Sequence, residues 1–183
     1  SELLNLEDET LENLFYARLL ESRLHTYELT GTALVPGQTE ENARQHTGPV
    51  VACLDTSGSM AGKPLIKAKA LLLAIANILT QEQRSIHVLL FGSQGELIEF
   101  SMEDAKDTAG LLRFMRRGFG NGTDFQTPLD KALQIIAEYP AYQKADVLMI
   151  SDGDCELSPA YVAHMQARKA DLDCMVYTVL CQG

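Results

Sequence analysis

Apolar positions follow two different rhythms along this chain. Between Asp8 and Leu29, Leu11, Leu14 and Phe15, then Leu20, Leu24 and Tyr27, recur at three- and four-residue steps, which predicts an amphipathic helix. Gly31 suits its C-terminal stop, and the polar stretch 31–47 reads as a linker. From Gly48 onward the apolar residues come in short continuous runs. Val50–Leu54, closed by Asp55, Ile86–Phe91 and Val147–Ile150 are such runs, as expected of strands buried on both faces of a parallel sheet. Leu97–Phe100 alternates instead and reads as an edge strand, and Cys174–Leu180 reads as the last strand. Helices are predicted between the strands. One runs from Pro64 to about Gln81, and another opens at a Ser101-x-x-Asp104 capping box and continues to Arg117. A third opens at Thr127-Pro128 and ends near Tyr139, and a fourth opens at Ser158-Pro159.

Strands alternating with helices predict an α/β fold in three layers, with helices on both faces of a mostly parallel sheet. Ligands of such sheets bind beyond the carboxyl ends of the strands, near the switch in strand order. Asp55 and Asp152 both fall at strand ends, which puts two acidic groups on one rim.

The rim segments carry oxygen donors throughout. Asp55-Thr56-Ser57-Gly58-Ser59 sets one carboxylate and two hydroxyls at alternate positions, and Gly58 allows the tight turn. Gly120-Asn121-Gly122-Thr123-Asp124 is a glycine-punctuated loop with a further hydroxyl, and Asp152 brings the second carboxylate. Asp55, Ser57, Ser59, Thr123 and Asp152 together make a set suited to a hard divalent cation. Mg²⁺ prefers oxygen in octahedral array and takes one or two carboxylates, and Mn²⁺ or Ca²⁺ would accept the same donors. Taken singly, each segment could equally serve a turn or a helix cap.

In this order the three segments resemble the metal-ion-dependent adhesion site of the von Willebrand factor A domain, Asp-x-Ser-x-Ser, then Thr, then Asp. The resemblance covers residues 48–181. It implies a Rossmann-like sheet with one antiparallel edge, direct ligation by Ser57 and Ser59, and Thr123, Asp55 and Asp152 acting directly or through water. It also implies a partner protein whose Asp or Glu carboxylate completes the metal's coordination. Family domains carry a further helix, often another strand, after the equivalent of Cys174–Leu180, so the domain at 48–183 is expected to be truncated at its C-terminal end. Residues 1–47 form the N-terminal helical arm and linker in this division. Phe15–Glu21 and Leu24–Leu29, with Asp55–Met60 and the Gly-Thr-Asp loop, further resemble bacterial proteins of the ViaA type, which are cytoplasmic partners of MoxR-class AAA+ ATPases. This implies a non-enzymatic adaptor in protein remodelling or in metal or cofactor insertion.

Charge and composition narrow the field. The 183 residues carry a formal net charge of -10, which disfavours phosphate backbones and anionic membrane surfaces. Of this, -6 falls in residues 1–47 and -4 in residues 48–183. The apolar stretch Ala70–Leu79 is too short to span a bilayer. The opening Ser1-Glu2-Leu3-Leu4 has no initiator methionine or basic-then-apolar leader and reads as part of a larger protein. Cys53, Cys155, Cys174 and Cys181 form no Cys-x-x-Cys, so reduced thiols and a cytoplasmic setting are expected.

Competing chemistries fit less well. A phosphatase of the haloacid dehalogenase type needs an Asp where Ser57 stands. Gly58–Lys63 is one residue short of a phosphate-binding loop, and Pro64 replaces its hydroxyl residue. His87 lies in a strand and reads as packed or paired. Arg113, Arg116 and Arg117 read as a solvated helix end or as a docking patch for an acidic surface. A Mg²⁺-dependent hydrolase on the same donors remains the alternative, with Asp124 or Asp154 as its base. A scaffold with a vestigial site is the third reading.

Overall fold

The computed structural model describes residues 48–102, 107–153 and 155–181. The expected helix at 8–29 and linker at 31–47 lie outside the described residues. In chain order the elements are β1 (Val50–Asp55), α1 (Lys63–Gln81), β2 (Ile86–Phe91), β3 (Leu97–Met102), α2 (Thr108–Phe114), α3 (Gln126–Glu138), β4 (Asp146–Ser151), α4 (Pro159–Asp171) and β5 (Val176–Leu180). Short 3₁₀ turns occupy Gly58–Met60 and Pro140–Tyr142. The sheet order is β3-β2-β1-β4-β5. β1 pairs parallel with β2 and β4, β5 pairs parallel with β4, and β3 runs antiparallel on β2. The expected mostly parallel sheet with one antiparallel edge is therefore the observed one.

β1 is central, and all six of its residues are buried. Val50, Ala52 and Leu54 pack in one cluster with Ala68, Leu71, Leu72 and Ala76 of α1 and with Leu111 and Phe114 of α2. Val51 and Cys53 pack in the other with Leu129, Ala132, Leu133 and Ile136 of α3 and Met165 of α4. A strand covered on both faces needs apolar side chains at every position, hence the uninterrupted run. Each large aliphatic chain fully buried this way contributes about 1.5–3 kcal/mol. α1 reaches 19 residues and is long and apolar enough to cross a membrane by length and composition alone. In the fold its apolar stripe lies on the sheet. The four cysteines are free thiols, three of them buried. Burial, its largest cause, pushes the Cys174 thiol up to about 11 and Cys53 higher still, so neither is a reactive thiolate.

Local capping signals near residue 101 lose to sheet pairing. Ser101 does not open a helix; it continues β3, opposite His87 in the ladder, and its hydroxyl meets the Tyr142 hydroxyl at 3.0 Å. Asp107 caps α2 instead, its Oδ1 accepting the Gly110 N–H at 2.8 Å, and α2 stops at Phe114, short of Arg117. Ser158 does cap α4, accepting the Tyr161 N–H at 3.2 Å. β5 begins at Val176 rather than Cys174.

His87 is paired, as its strand position suggests. Its Nε2 lies 3.0 Å from Glu99 Oε2, and its ring stands edge-on to Tyr142. Lys131 Nζ reaches the other Glu99 oxygen at 3.2 Å, tying the edge strand to α3. Burial raises the Glu99 carboxyl, but hydrogen bonds and charge from Lys131 and His87 outweigh it and hold the group below its ordinary 4.5. A depressed carboxyl stabilises the fold above its unfolded pKa, and the gain is lost as pH falls through the folded value. Wild-type protein should therefore lose stability more steeply than Glu99→Gln at and below about pH 4.5. Half-exposure of Glu99 keeps the effect small. Parallel urea-midpoint curves for the two proteins would refute it.

Candidate metal centre

The chain leaves β1 for β2 on one side and returns later to β4 on the other. The carboxyl ends of β1 and β4 therefore flank the switch in strand order, where open α/β sheets bind ligands. Asp55 ends β1 and is fully buried. Its Oδ1 accepts the Ser57 N–H at 2.9 Å, and its Oδ2 accepts the Ser151 hydroxyl at 2.6 Å. Ser151 ends β4, and its oxygen also accepts the Gly153 N–H at 3.0 Å. One buried hydroxyl thus aims Asp55 and shapes the turn that holds Asp152, which is half-buried between Ser151 and Gly153.

Ser57 is buried, and its Oγ lies 3.0 Å from Ser59 Oγ at the surface. The 3₁₀ turn between them is pinned from beneath by Met60, which is fully buried. Gly58 sits against the glycine loop. Its N–H donates to Asn121 O at 2.7 Å, and a Cβ there would lie 3.1 Å from Gly120 O.

Thr56, between the first two motif positions, proves to be the anchor. Its N–H and its hydroxyl both donate to Phe91 O, at 2.9 and 2.8 Å. The same hydroxyl accepts the Phe119 N–H at 3.2 Å, and Thr56 O accepts the Gly120 N–H at 2.8 Å. The loop is thereby fastened across the end of β1. On its far side the Gly122 N–H donates to Ser93 Oγ and the Asp124 N–H to Gly92 O. Thr123, between these two fixed amides, is half-buried. Asp55 thus accepts from the Ser57 amide and the Ser57 hydroxyl meets that of Ser59, while Thr123 and Asp152 lie on segments whose neighbouring residues are bound beside them. Sequence reasoning missed Thr56 and Ser151. Their partners lie 35, 63 and 96 residues away, so no local pattern marks them.

Asp124 has another task. Its Oδ1 accepts the Gln126 N–H, and its Oδ2 accepts the Thr127 N–H and hydroxyl, which caps α3. The helix consequently starts at Gln126, one residue before the expected Thr127-Pro128 opening. Asp154, the other candidate base, lies outside the described residues.

The donors suit a hard cation. Among the described residues no lysine or arginine pairs with Asp55, and a buried carboxylate is ordinarily paired or bound to metal. Adjacent ligands of an octahedron with bonds of 2.0–2.1 Å stand about 2.9 Å apart. Ser57 Oγ and Ser59 Oγ, hydrogen-bonded to each other at 3.0 Å, stand close to that separation. The candidate set holds three hydroxyls and two carboxylates, and among the described residues no group of three or more His, Cys, Asp or Glu that could hold a metal ion forms a cluster.

Comparison with known proteins agrees with this fold. The von Willebrand factor type A domain profile matches residues 50–154. The regulatory protein ViaA of Edwardsiella ictaluri is 36% identical over 156 residues, covering 82% of this chain and 31% of that protein. ViaA of Proteus mirabilis is 33% identical over 158 residues, 83% of this chain and 32% of that protein. An uncharacterized protein of Methanocaldococcus jannaschii is 29% identical over 182 residues, 99% of this chain and 39% of its own length. The chain spans about a third of the length of these curated relatives. Among solved structures, the conserved hypothetical protein BatB from Bacteroides thetaiotaomicron shares the fold at TM-score 0.55 and 17% identity, covering 73% of this chain and 66% of that one. By the profile match and the sheet that carries it, the chain belongs to the von Willebrand factor type A domain family, with similarity to ViaA-type proteins.

Proposed function

We propose that this domain is a regulatory adaptor that recognises a protein partner through a divalent cation held at the rim. Asp55 and Asp152 supply negative charge, Ser57 and Ser59 neutral hydroxyl ligands, and Thr123 a ligand on a separate loop. The buried Asp55 carboxylate, hydrogen-bonded on both oxygens yet facing no cationic side chain among the described residues, carries this reading. Two carboxylates balance a +2 ion, and neutral hydroxyls leave it electrophilic toward an Asp or Glu of the partner. Mg²⁺, Mn²⁺ and Ca²⁺ all accept such an all-oxygen set.

Similarity to ViaA, a regulatory protein by name, supports the adaptor role. The resemblance to the ViaA type points further, to a MoxR-class AAA+ ATPase as partner and to the cytoplasm as location. A hydrolase on the same donors is less well supported, because Asp124 commits both carboxylate oxygens to the α3 cap. The test is capture of a purified MoxR-class ATPase by the chain in Mg²⁺ and in EDTA. Capture is expected in Mg²⁺ only and should vanish in Asp55→Ala. Equal capture under all three conditions would sink the metal bridge.

A further inference from the structure

The turn joining β2 to β3 holds a carboxylate with two separate duties. Glu96 Oε2 accepts the Ser93 N–H at 2.9 Å, which closes the turn on itself. Glu96 Oε1 accepts Asn121 Nδ2 at 2.7 Å, across 25 residues of sequence. Ser93, ordered by the first bond, accepts the Gly122 N–H on its Oγ at 2.9 Å. Gly92 makes room for the arrangement: a Cβ there would lie 2.7 Å from Glu96 Oε2 and 2.9 Å from Phe119 Cβ. The turn and the loop are built to close on each other, and Glu96 is the group shared by both.

The loop needs such a fastening. Gly120 has φ +73°, and the Gly120–Gly122 segment is exposed apart from the backbone bonds that hold it. Thr56 and Gly58 fix its first half, at Phe119, Gly120 and Asn121. The second half, which leads directly into Thr123, is held at Gly122 by Ser93 and at Asp124 by Gly92, and Glu96 ties Asn121, where the two halves meet, to the Ser93 turn. Hydrogen bonds to an ionised acceptor are about twice as strong as neutral ones, which makes Glu96 a strong clasp where the two halves meet.

We propose that Glu96 is a positioning residue that latches the Asn121 loop and so sets cation affinity through Thr123 without touching the cation. This rests on the rim being a metal site. Groups that orient metal ligands without binding metal themselves change affinity by about 10–100-fold when removed. Glu96→Ala is expected to weaken Mg²⁺ and Mn²⁺ binding about tenfold by calorimetric titration of the full chain. It should also accelerate amide hydrogen exchange at Gly120–Gly122 in metal-free protein, with the urea midpoint unchanged. Asn121→Ala, which alters only an exposed loop side chain, should reproduce both effects in part. The double variant should be no worse than Glu96→Ala alone, because both remove one clasp. Glu96→Gln, able to keep one of its two bonds, should recover part of the affinity. Unchanged exchange in Glu96→Ala, or accelerated exchange with unchanged affinity, would overturn the proposal. Wild-type protein that takes up neither cation would instead remove the metal reading, and the exchange measurement would still decide the latch.

Discussion

Mg²⁺ is expected to stabilise the wild-type protein against heat, and Asp55→Asn should abolish that gain while leaving the metal-free protein at least as stable as wild type. Both halves follow from the burial of Asp55. An ionised carboxylate removed from water without a cationic partner is destabilising, and neutralising it in place relieves that penalty. Asparagine keeps the shape. Its oxygen can still accept the Ser57 N–H, and Ser151, whose hydroxyl rotates, can accept from the amide in place of donating to Oδ2. Loss of the charge removes a principal anionic donor from the rim. Ligand at 100 times its dissociation constant stabilises by about 2.7 kcal/mol. For a domain of this size that is a rise in Tm of about 10 °C. Thermal melts with Mg²⁺ and with EDTA would measure it. A variant that keeps the Mg²⁺ shift, or one that melts far below wild type in EDTA, would contradict the assignment of Asp55 to the cation.

Phe91→Ala is expected to be the most destabilising of the substitutions considered, by about 3–5 kcal/mol in urea unfolding. Phe91 is fully buried at the end of β2, opposite Asp55 in the ladder, and meets Phe125 edge-on at 5.9 Å. Removing the ring opens a cavity between the sheet and the entrance to α3, a large fraction of the about 5–15 kcal/mol that a domain has in total. Phe125 directly follows the Thr123-Asp124 pair, so Mg²⁺ affinity should fall as well. Phe91→Leu keeps most of the volume and loses chiefly the ring pair, about 0.5–1.5 kcal/mol. An alanine variant destabilised by under about 1 kcal/mol would show that the pocket collapses readily or that the packing there is loose.

Much of the architecture is legible in the order of the residues. β1, β2 and β4 are buried on both faces, and that condition writes itself locally as apolar runs. Pro64 and Ser158-Pro159 mark helix starts that the fold keeps, because those signals act on the next few backbone groups. The candidate rim donors Asp55, Ser57, Ser59, Thr123 and Asp152 can be proposed from spacing and strand ends for the same reason: each follows directly from a strand or loop whose character is local.

What holds those donors could not be read this way. Ser101 has the residue pattern of a cap, but the ladder with β2 extends through it, and a strand pair outweighs a single capping bond. Asp124 resembles a rim carboxylate and is a helix cap, since Gln126 and Thr127 present their amides to it once α3 packs on the sheet. Thr56, Ser151 and Glu96 are ordinary polar residues in sequence. They become the frame of the rim through hydrogen bonds spanning 25 to 96 residues. Composition and periodicity record which faces are buried, so the sequence alone determined the sheet and its helices and pointed to oxygen donors at its edge. Only the tertiary structure decided which polar groups meet there, because a hydrogen bond between distant segments leaves no trace in the neighbours of either partner.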